Sequence, residues 1–136
     1  MNPVFKTFIG VHTWLLRKSK GKRFNMGGTV LVLKTVGAKT GKPRANPLMY
    51  LDHDDGYLVA ASAAGSDQHP GWYFNLVKNP DVEVELAGET IPMHARVAEG
   101  EERDQLYKRF EEWNKRFAGY QTKTSRKIPV VVLARR

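Results

Sequence analysis

The chain is expected to fold as one α+β domain, an antiparallel sheet or barrel with helices at its periphery. Alternating or β-branched segments joined by hairpin-length turns outnumber the helical ones, in the order α, β, β, β, α, β, β, α, β. The last of these segments is apolar on both sides, as an interior strand must be. The 136 residues, 41% of them hydrophobic, can enclose one core and not two.

At the start, Asn2-Pro3 sets a capping residue before a proline in the first helical position, and Val4, Phe8, Val11 and Leu15 recur at helical spacing. A helix is expected over residues 3–18. Phe5, His12 and Leu16 widen its apolar face, and Gly10 weakens it by about 1 kcal/mol relative to Ala. Five basic residues in seven, Arg17 to Arg23, follow at once. The helix either packs on the domain with a solvated basic end, or lies in a membrane interface with Trp14 at headgroup level and the cations on anionic lipid. Residues 1–24 are therefore set apart from the main domain, 25–136.

Within that domain, Thr29–Thr35 (TVLVLKT) reads as a strand, followed by the turn Gly37-Ala38-Lys39-Thr40-Gly41-Lys42-Pro43. Arg44–Leu51 is a second strand, Asp52–Gly56 a polar hairpin turn and Tyr57–Ser62 a third strand. Pro70–Lys78 carries Trp72, Tyr73, Leu76 and Val77 and stops before Asn79-Pro80, the pattern of a two-turn helix. Val82–Leu86 and Thr90–Ala98 form a hairpin around Ala87-Gly88. Leu106, Phe110, Trp113 and Phe117 mark a helix with Glu101, Glu102 and Asp104 in its first turn and Gly119 as its stop. Ile128–Leu133 is the final, interior strand.

Several function classes fall away. The absence of cysteine removes disulfides, thiol catalysis and thiolate metal sites, and points to a cytoplasmic protein. No apolar run approaches the roughly 20 residues of a membrane span, and no cleavable signal is visible. His12, His53, His69 and His94 are too scattered for a metal site. Ser62, Asp67 and His69 lack the nucleophile elbow of a hydrolase. Trp14 and Phe24 sit in a basic region but in no nucleic-acid module. The net charge is +8, and all the excess lies in residues 1–51, which hold ten Lys/Arg and no Asp or Glu. That field favours a polyanionic partner.

Two stretches carry chemistry. The glycine turn with Lys39, Thr40, Lys42 and Arg44 is no P-loop, because three residues separate its glycines and Pro43 follows the Lys. It is either a solvated hairpin tip or a cradle for a phosphate or carboxylate, built from backbone N–H groups and a guanidinium. The small-residue run Ala61-Ser62-Ala63-Ala64-Gly65, followed by His69-Pro70-Gly71-Trp72-Tyr73-Phe74-Asn75-Leu76, is either a tight turn before a buried helix or a platform that a planar heterocycle can approach closely.

Taken together, Thr35 to Arg44, Asn46-Pro47-Leu48-Met49-Tyr50, Ala61-Ser62 through Leu76, Asn79-Pro80, Tyr120-Gln121-Thr122 and Ile128-Pro129-Val130-Val131 resemble the deazaflavin-dependent nitroreductase and quinone reductase family, in colinear order over residues 25–135. The resemblance implies a split β-barrel, mainly antiparallel, related to FMN-binding oxidoreductases. It implies coenzyme F420, an 8-hydroxy-5-deazaflavin with a phosphate and an oligoglutamate tail, in preference to FMN. Lys39, Thr40 and Arg44 would hold phosphate and tail, and Asn46, Pro47 and Met49 would line the path to the ring. Ala60, Ala61, Ser62 and Ala63, with Trp72, Tyr73 and Asn75, would border the ring. Ala38 and Ala63 stand where relatives carry Arg or Lys, so Lys42 is expected to take over part of that contact. Phe117 and Asn114 stand where the nitroreductase type has tyrosines.

The expected activity is hydride transfer from reduced F420 to a planar, apolar acceptor such as a quinone, with nitroaromatics or activated enones as further acceptors. Ser62 and Tyr120 are the expected catalytic residues, and Phe117 and Tyr120 the substrate contacts. The alternatives are a non-catalytic deazaflavin carrier and a basic membrane-associated binding protein. A monomer or homodimer is expected, attached at most peripherally to the inner face of the cell membrane.

Overall fold

The computed structural model describes residues 30–136. The helix expected over residues 3–18 and the basic run after it lie outside the described residues. Seven strands form one antiparallel sheet: β1 (Val30–Val36), β2 (Pro43–Met49), β3 (Leu51–His53), β4 (Gly56–Ala60), β5 (Asp81–Leu86), β6 (Glu89–Val97) and β7 (Val130–Arg135). Their order across the sheet is β2-β1-β5-β6-β7-β4-β3. Three helices, α1 (Gly71–Lys78), α2 (Gly100–Trp113) and α3 (Arg116–Thr122), and a 3-10 turn over Ala63–Gly65 complete the described chain.

The chain length predicts one core, but the period-2 alternation of the β-strands builds two, one on each face of the sheet. Leu31 and Leu33 of β1, Val84 of β5, Met93 of β6 and Leu133 of β7 are buried on one face, where Trp72 and Leu76 of α1 cover them. Leu58 of β4 and Val130 and Val132 of β7 point the other way, against Leu106, Tyr107 and Phe110 of α2 and Phe117 of α3. β7, buried on both faces, lies between β6 and β4, the interior position its composition predicts. Its ladder begins two residues later than expected, because Ile128 gives its N–H to Gln121 Oε1 (3.0 Å) and Pro129 has none to give.

Three further expectations are corrected. Arg44–Leu51 is not one strand: it breaks at Tyr50, which is buried and meets Tyr57 edge-on at 5.0 Å between ring centroids. Before Tyr50 the chain pairs with β1 at one edge of the sheet, and after it with β4 at the other. The sheet must curl to allow that crossing, which makes a half-barrel. Gly119 does not stop the long helix. The break comes at Asn114, whose extended backbone (φ −151°) ends α2 and whose Oδ1 accepts the N–H of Arg116 (3.0 Å), capping α3, in which Gly119 is interior. The third strand also ends at Ala60, leaving Ser62 in the connection that follows.

Candidate active site

The β1–β2 connection is a compact basic loop. Gly37 donates to the Lys42 carbonyl (2.8 Å), Gly41 donates to the Gly37 carbonyl (2.9 Å), and Gly41 takes the left-handed φ of 71° that favours glycine. Thr40 Oγ1 accepts the Lys42 N–H (3.2 Å), so its proton is still available to a ligand. A Cβ on Gly37 would stand 2.7 Å from that hydroxyl oxygen. Lys39, Lys42 and Arg44 are exposed and have no acidic partner among the described residues. By contrast, Lys34, two strand residues away from this tip, is paired with Glu85 (2.6 Å), and the bond raises its pKa.

Asn75, expected beside the ring, anchors this loop. Its Oδ1 accepts the Ala38 N–H (2.8 Å) and its Nδ2 donates to the buried Thr35 hydroxyl (3.1 Å). Lys78 Nζ adds a bond to the Ala38 carbonyl (2.9 Å), so two residues of α1 hold the basic loop.

β2 leads away from the loop as an edge strand, exposed over most of its length. Its register sorts the expected path residues onto two faces. Arg44 and Asn46 lie opposite Thr35 and Leu33, on the α1 side, whereas Pro47 and Met49 lie opposite Val32 and Val30. Met49, Ala60 and Tyr120 are all half-buried at the margin of the second core, and so share a side. Trp72 and Ala61 are buried in the first core, and Tyr73 stacks on His69 at 4.5 Å.

After Ala61 the backbone enters an unusual turn. Ala63 (φ 45°), Ala64 (φ 54°) and Gly65 (φ 83°) are left-handed in succession, a geometry that costs alanine on the order of 1 kcal/mol or more per residue. A Cβ on Gly65 would lie 2.9 Å from the Tyr120 carbonyl oxygen, so this turn sits directly on α3. Ser62 Oγ and the N–H groups of Ala63 and Ala64 have no partner among the described residues. The turn therefore offers small side chains and three free polar groups. Phe117 is buried among Phe110, Trp113, Tyr107 and Tyr120, with the Tyr120 ring edge-on at 5.4 Å. Of the two expected substrate contacts, Tyr120 is the more accessible and Phe117 stands behind it.

Two residues outside every candidate set organise the region. Arg126 Nε donates to the Ser66 carbonyl (2.8 Å), Nη1 to the Ala61 carbonyl (3.1 Å) and Nη2 to the Ser62 carbonyl (2.9 Å). Its Nη1 also lies 3.0 Å from His69 Nδ1. A guanidinium only donates, so Nδ1 carries the lone pair and Nε2 the proton. Burial, with the Arg126 charge, holds the His69 pKa below its ordinary value. Gln121 Oε1 accepts from Arg103 Nη2 (2.7 Å) and the Ile128 N–H, while its Nε2 donates to the Arg126 carbonyl (2.7 Å). The Tyr-Gln pair of the motif thus divides its work: Tyr120 lies half-buried at the margin of the second core, and Gln121 braces the approach to β7.

The residues present fit coenzyme F420: the cations at the start of β2, unpaired among the described residues, match an anionic tail, and the turn of alanines after β4, with N–H groups that have no partner among the described residues, matches a flat, acceptor-rich ring. An F420H(2)-dependent quinone reductase of Mycobacterium tuberculosis is 43% identical over 109 residues, covering 78% of this chain and 73% of that protein. The solved F420-H2 dependent reductase FDR-A is 42% identical, with a TM-score of 0.69 over 76% of this chain and 92% of that one. A solved chain described as a domain-swapped dimer is 35% identical, with a TM-score of 0.70 over 90% of this chain and 99% of that one. The family described as F420H(2)-dependent quinone reductase matches residues 9–135, and the chain belongs to it: a split-barrel, F420H2-dependent reductase whose cofactor is coenzyme F420.

Proposed function

We propose that the protein reduces a quinone-type acceptor, a planar and largely apolar molecule, with the cofactor laid along β2. The observation that carries this reading is the edge strand itself. From Pro43 to Met49 it spans six rises of about 3.3 Å, roughly 20 Å, between the unpaired cations of the basic loop and the half-buried margin at Met49, Ala60 and Tyr120. Bound there, reduced F420 supplies a hydride from C5 of its ring. Lys39, Thr40 and Arg44 hold the phosphate and tail, and the N–H groups of Ala63 and Ala64 hold the ring's acceptor atoms. Ser62 Oγ donates a hydrogen bond near the reacting carbon. The Tyr120 phenol contacts the acceptor and supplies the proton that its reduced oxygen takes up. Nitroaromatics and enones that are flat enough to stack in the same place are further acceptors.

The N-terminal segment is proposed to attach the enzyme to an anionic membrane surface, where apolar quinones reside; its composition supports this, and among the described residues no helix is long and apolar enough to cross a membrane. The domain-swapped dimer among the solved relatives supports a homodimer. The central test is anaerobic mixing with reduced F420 and a soluble quinone. F420 absorbance should return in step with quinone loss, and FMN should bind more weakly than F420, with the F420 affinity falling as salt rises. Binding without turnover would identify a carrier, and tighter binding of FMN would refute the assignment of the basic loop to the tail.

A further inference from the structure

The left-handed turn at Ala63–Gly65 is held from outside. Its own backbone contributes two bonds, Gly65 N–H to the Ser62 carbonyl (2.8 Å) and Ser66 N–H to the Ala63 carbonyl (3.0 Å). Strained backbone of this kind persists only where its surroundings over-determine it, and it concentrates at ligand sites. Here α3 packs against the buried Gly65, and one side chain ties the backbone on either side of the turn. The carbonyls of Ala61, Ser62 and Ser66 bracket the turn on both sides, and all three accept from the Arg126 guanidinium, 60 to 65 residues further along the chain. Inward-pointing carbonyls repel one another without a cation among them. A lysine ammonium is a single point, whereas the flat fork of an arginine reaches three acceptors and the His69 lone pair together.

Arg126 is itself fixed. Its carbonyl accepts from Gln121, its N–H donates to Thr124 Oγ1 (3.2 Å), and Gln121 follows Tyr120 on α3. One connected set of bonds therefore runs from the helix that carries Tyr120, through Gln121 and Arg126, to the turn that carries Ser62. The charged groups around this set are Arg103, bound to Gln121 Oε1 (2.7 Å), and Asp67; burial lowers the Arg126 pKa and the Asp67 carboxylate opposes that shift.

We propose that Arg126 is a positioning residue of the reductase, which holds the Ala61–Ser66 turn in its strained shape and in register with Tyr120, so that Ser62 and the free N–H groups of Ala63 and Ala64 meet the deazaflavin ring. The proposal rests on the reading of Ala60–Ala63 as the border of the ring. Arg126 touches neither ring nor acceptor; it acts through the turn.

The test uses the full chain with Arg126→Lys, which keeps charge and stem but loses the fork, and Arg126→Ala. Folding is checked by far-UV circular dichroism, F420 affinity by quenching of its fluorescence, and turnover at saturating F420H2 and quinone. Both variants should lose about tenfold in affinity and a similar factor in kcat, the scale of one charge-assisted hydrogen bond. Millimolar guanidinium should restore part of the Arg126→Ala loss, where ammonium at equal concentration does not. The kcat loss separates this role from a tail contact, which moves affinity alone. Folded variants within about twofold of wild type in both quantities overturn the proposal. Should Arg126→Ala not fold, Arg126→Lys carries the test. Amide exchange in the wild type isolates the underlying reading: residues 61–66 should be protected when F420 binds, and unchanged exchange there, with F420 bound, refutes the border assignment whatever the variants do.

Discussion

Arg44 is an exposed guanidinium at the start of an edge strand, with no acidic partner among the described residues. Nothing in the fold depends on it, so its chemistry is free for a ligand. Replacing it with alanine should cost about 1.5–3 kcal/mol of F420 binding, the range for hydrogen bonds to charged groups, and leave the melting temperature unchanged. Isothermal titration of the folded variant checks this, and an unaltered affinity returns the loop to a solvated hairpin tip. Asn75 teaches the complementary lesson. Its residue type was consistent with a ring contact in the motif, but both ends of its amide are occupied within the protein, by Ala38 and Thr35. Side-chain identity showed that the position matters, and only the partners showed that it anchors the cation-bearing loop.

At the scale of elements, the join between α2 and α3 decides where Tyr120 stands. Asn114 caps α3, and the Tyr107 hydroxyl donates to the Phe117 carbonyl at 2.5 Å, a bond from the middle of one helix to the start of the next. Burial pushes the Tyr107 pKa up to about 12, from 10.0 when unperturbed. The folded state thus favours the neutral phenol: this contribution is complete below pH 10.0 and is lost as pH rises through about 12. Tyr107→Phe should lower stability by about 1 kcal/mol near neutrality, where the hydrogen bond is lost. It should also flatten the fall in stability above pH 10.0. Urea denaturation across that window measures both effects, and equal slopes for variant and wild type would contradict the burial argument. The helical period of Leu106, Phe110, Trp113 and Phe117 was legible in the sequence. The break at Asn114 was not, because Trp113 and Phe117 stay four apart across it and pack in the same aromatic cluster.

For the whole molecule, the prediction concerns the relation of residues 1–24 to the barrel. The sheet of residues 30–136 has two cores, and each is covered by helices within that range. Deleting residues 1–20 should therefore abolish sedimentation with anionic vesicles and leave F420 binding and reduction of a soluble quinone intact. On the membrane reading, each cation of the basic cluster would contribute about 1 kcal/mol near an anionic surface, enough with the expected apolar face for reversible attachment. If the shortened protein unfolds or loses F420, the segment belongs to the core or the site, and the membrane reading falls.

Composition and local pattern were enough for the antiparallel α+β class, the interior placement of the last strand, the basic loop and the small-residue turn, because each depends on residues a few positions apart. Alternation, turn chemistry and clustered charge are local quantities, and so was the set of motifs that placed the chain in its family. The tertiary structure decided the rest. The crossing at Tyr50 from one sheet edge to the other interrupts a segment whose pattern runs on unbroken, since a buried tyrosine serves a strand and a corner alike. The bonds of Arg126 to Ala61, Ser62 and Ser66 join positions 60 to 65 residues apart. No periodicity records such a pairing, because it exists only once the curled sheet has brought the end of β4 and the approach to β7 side by side, as their shared ladder requires.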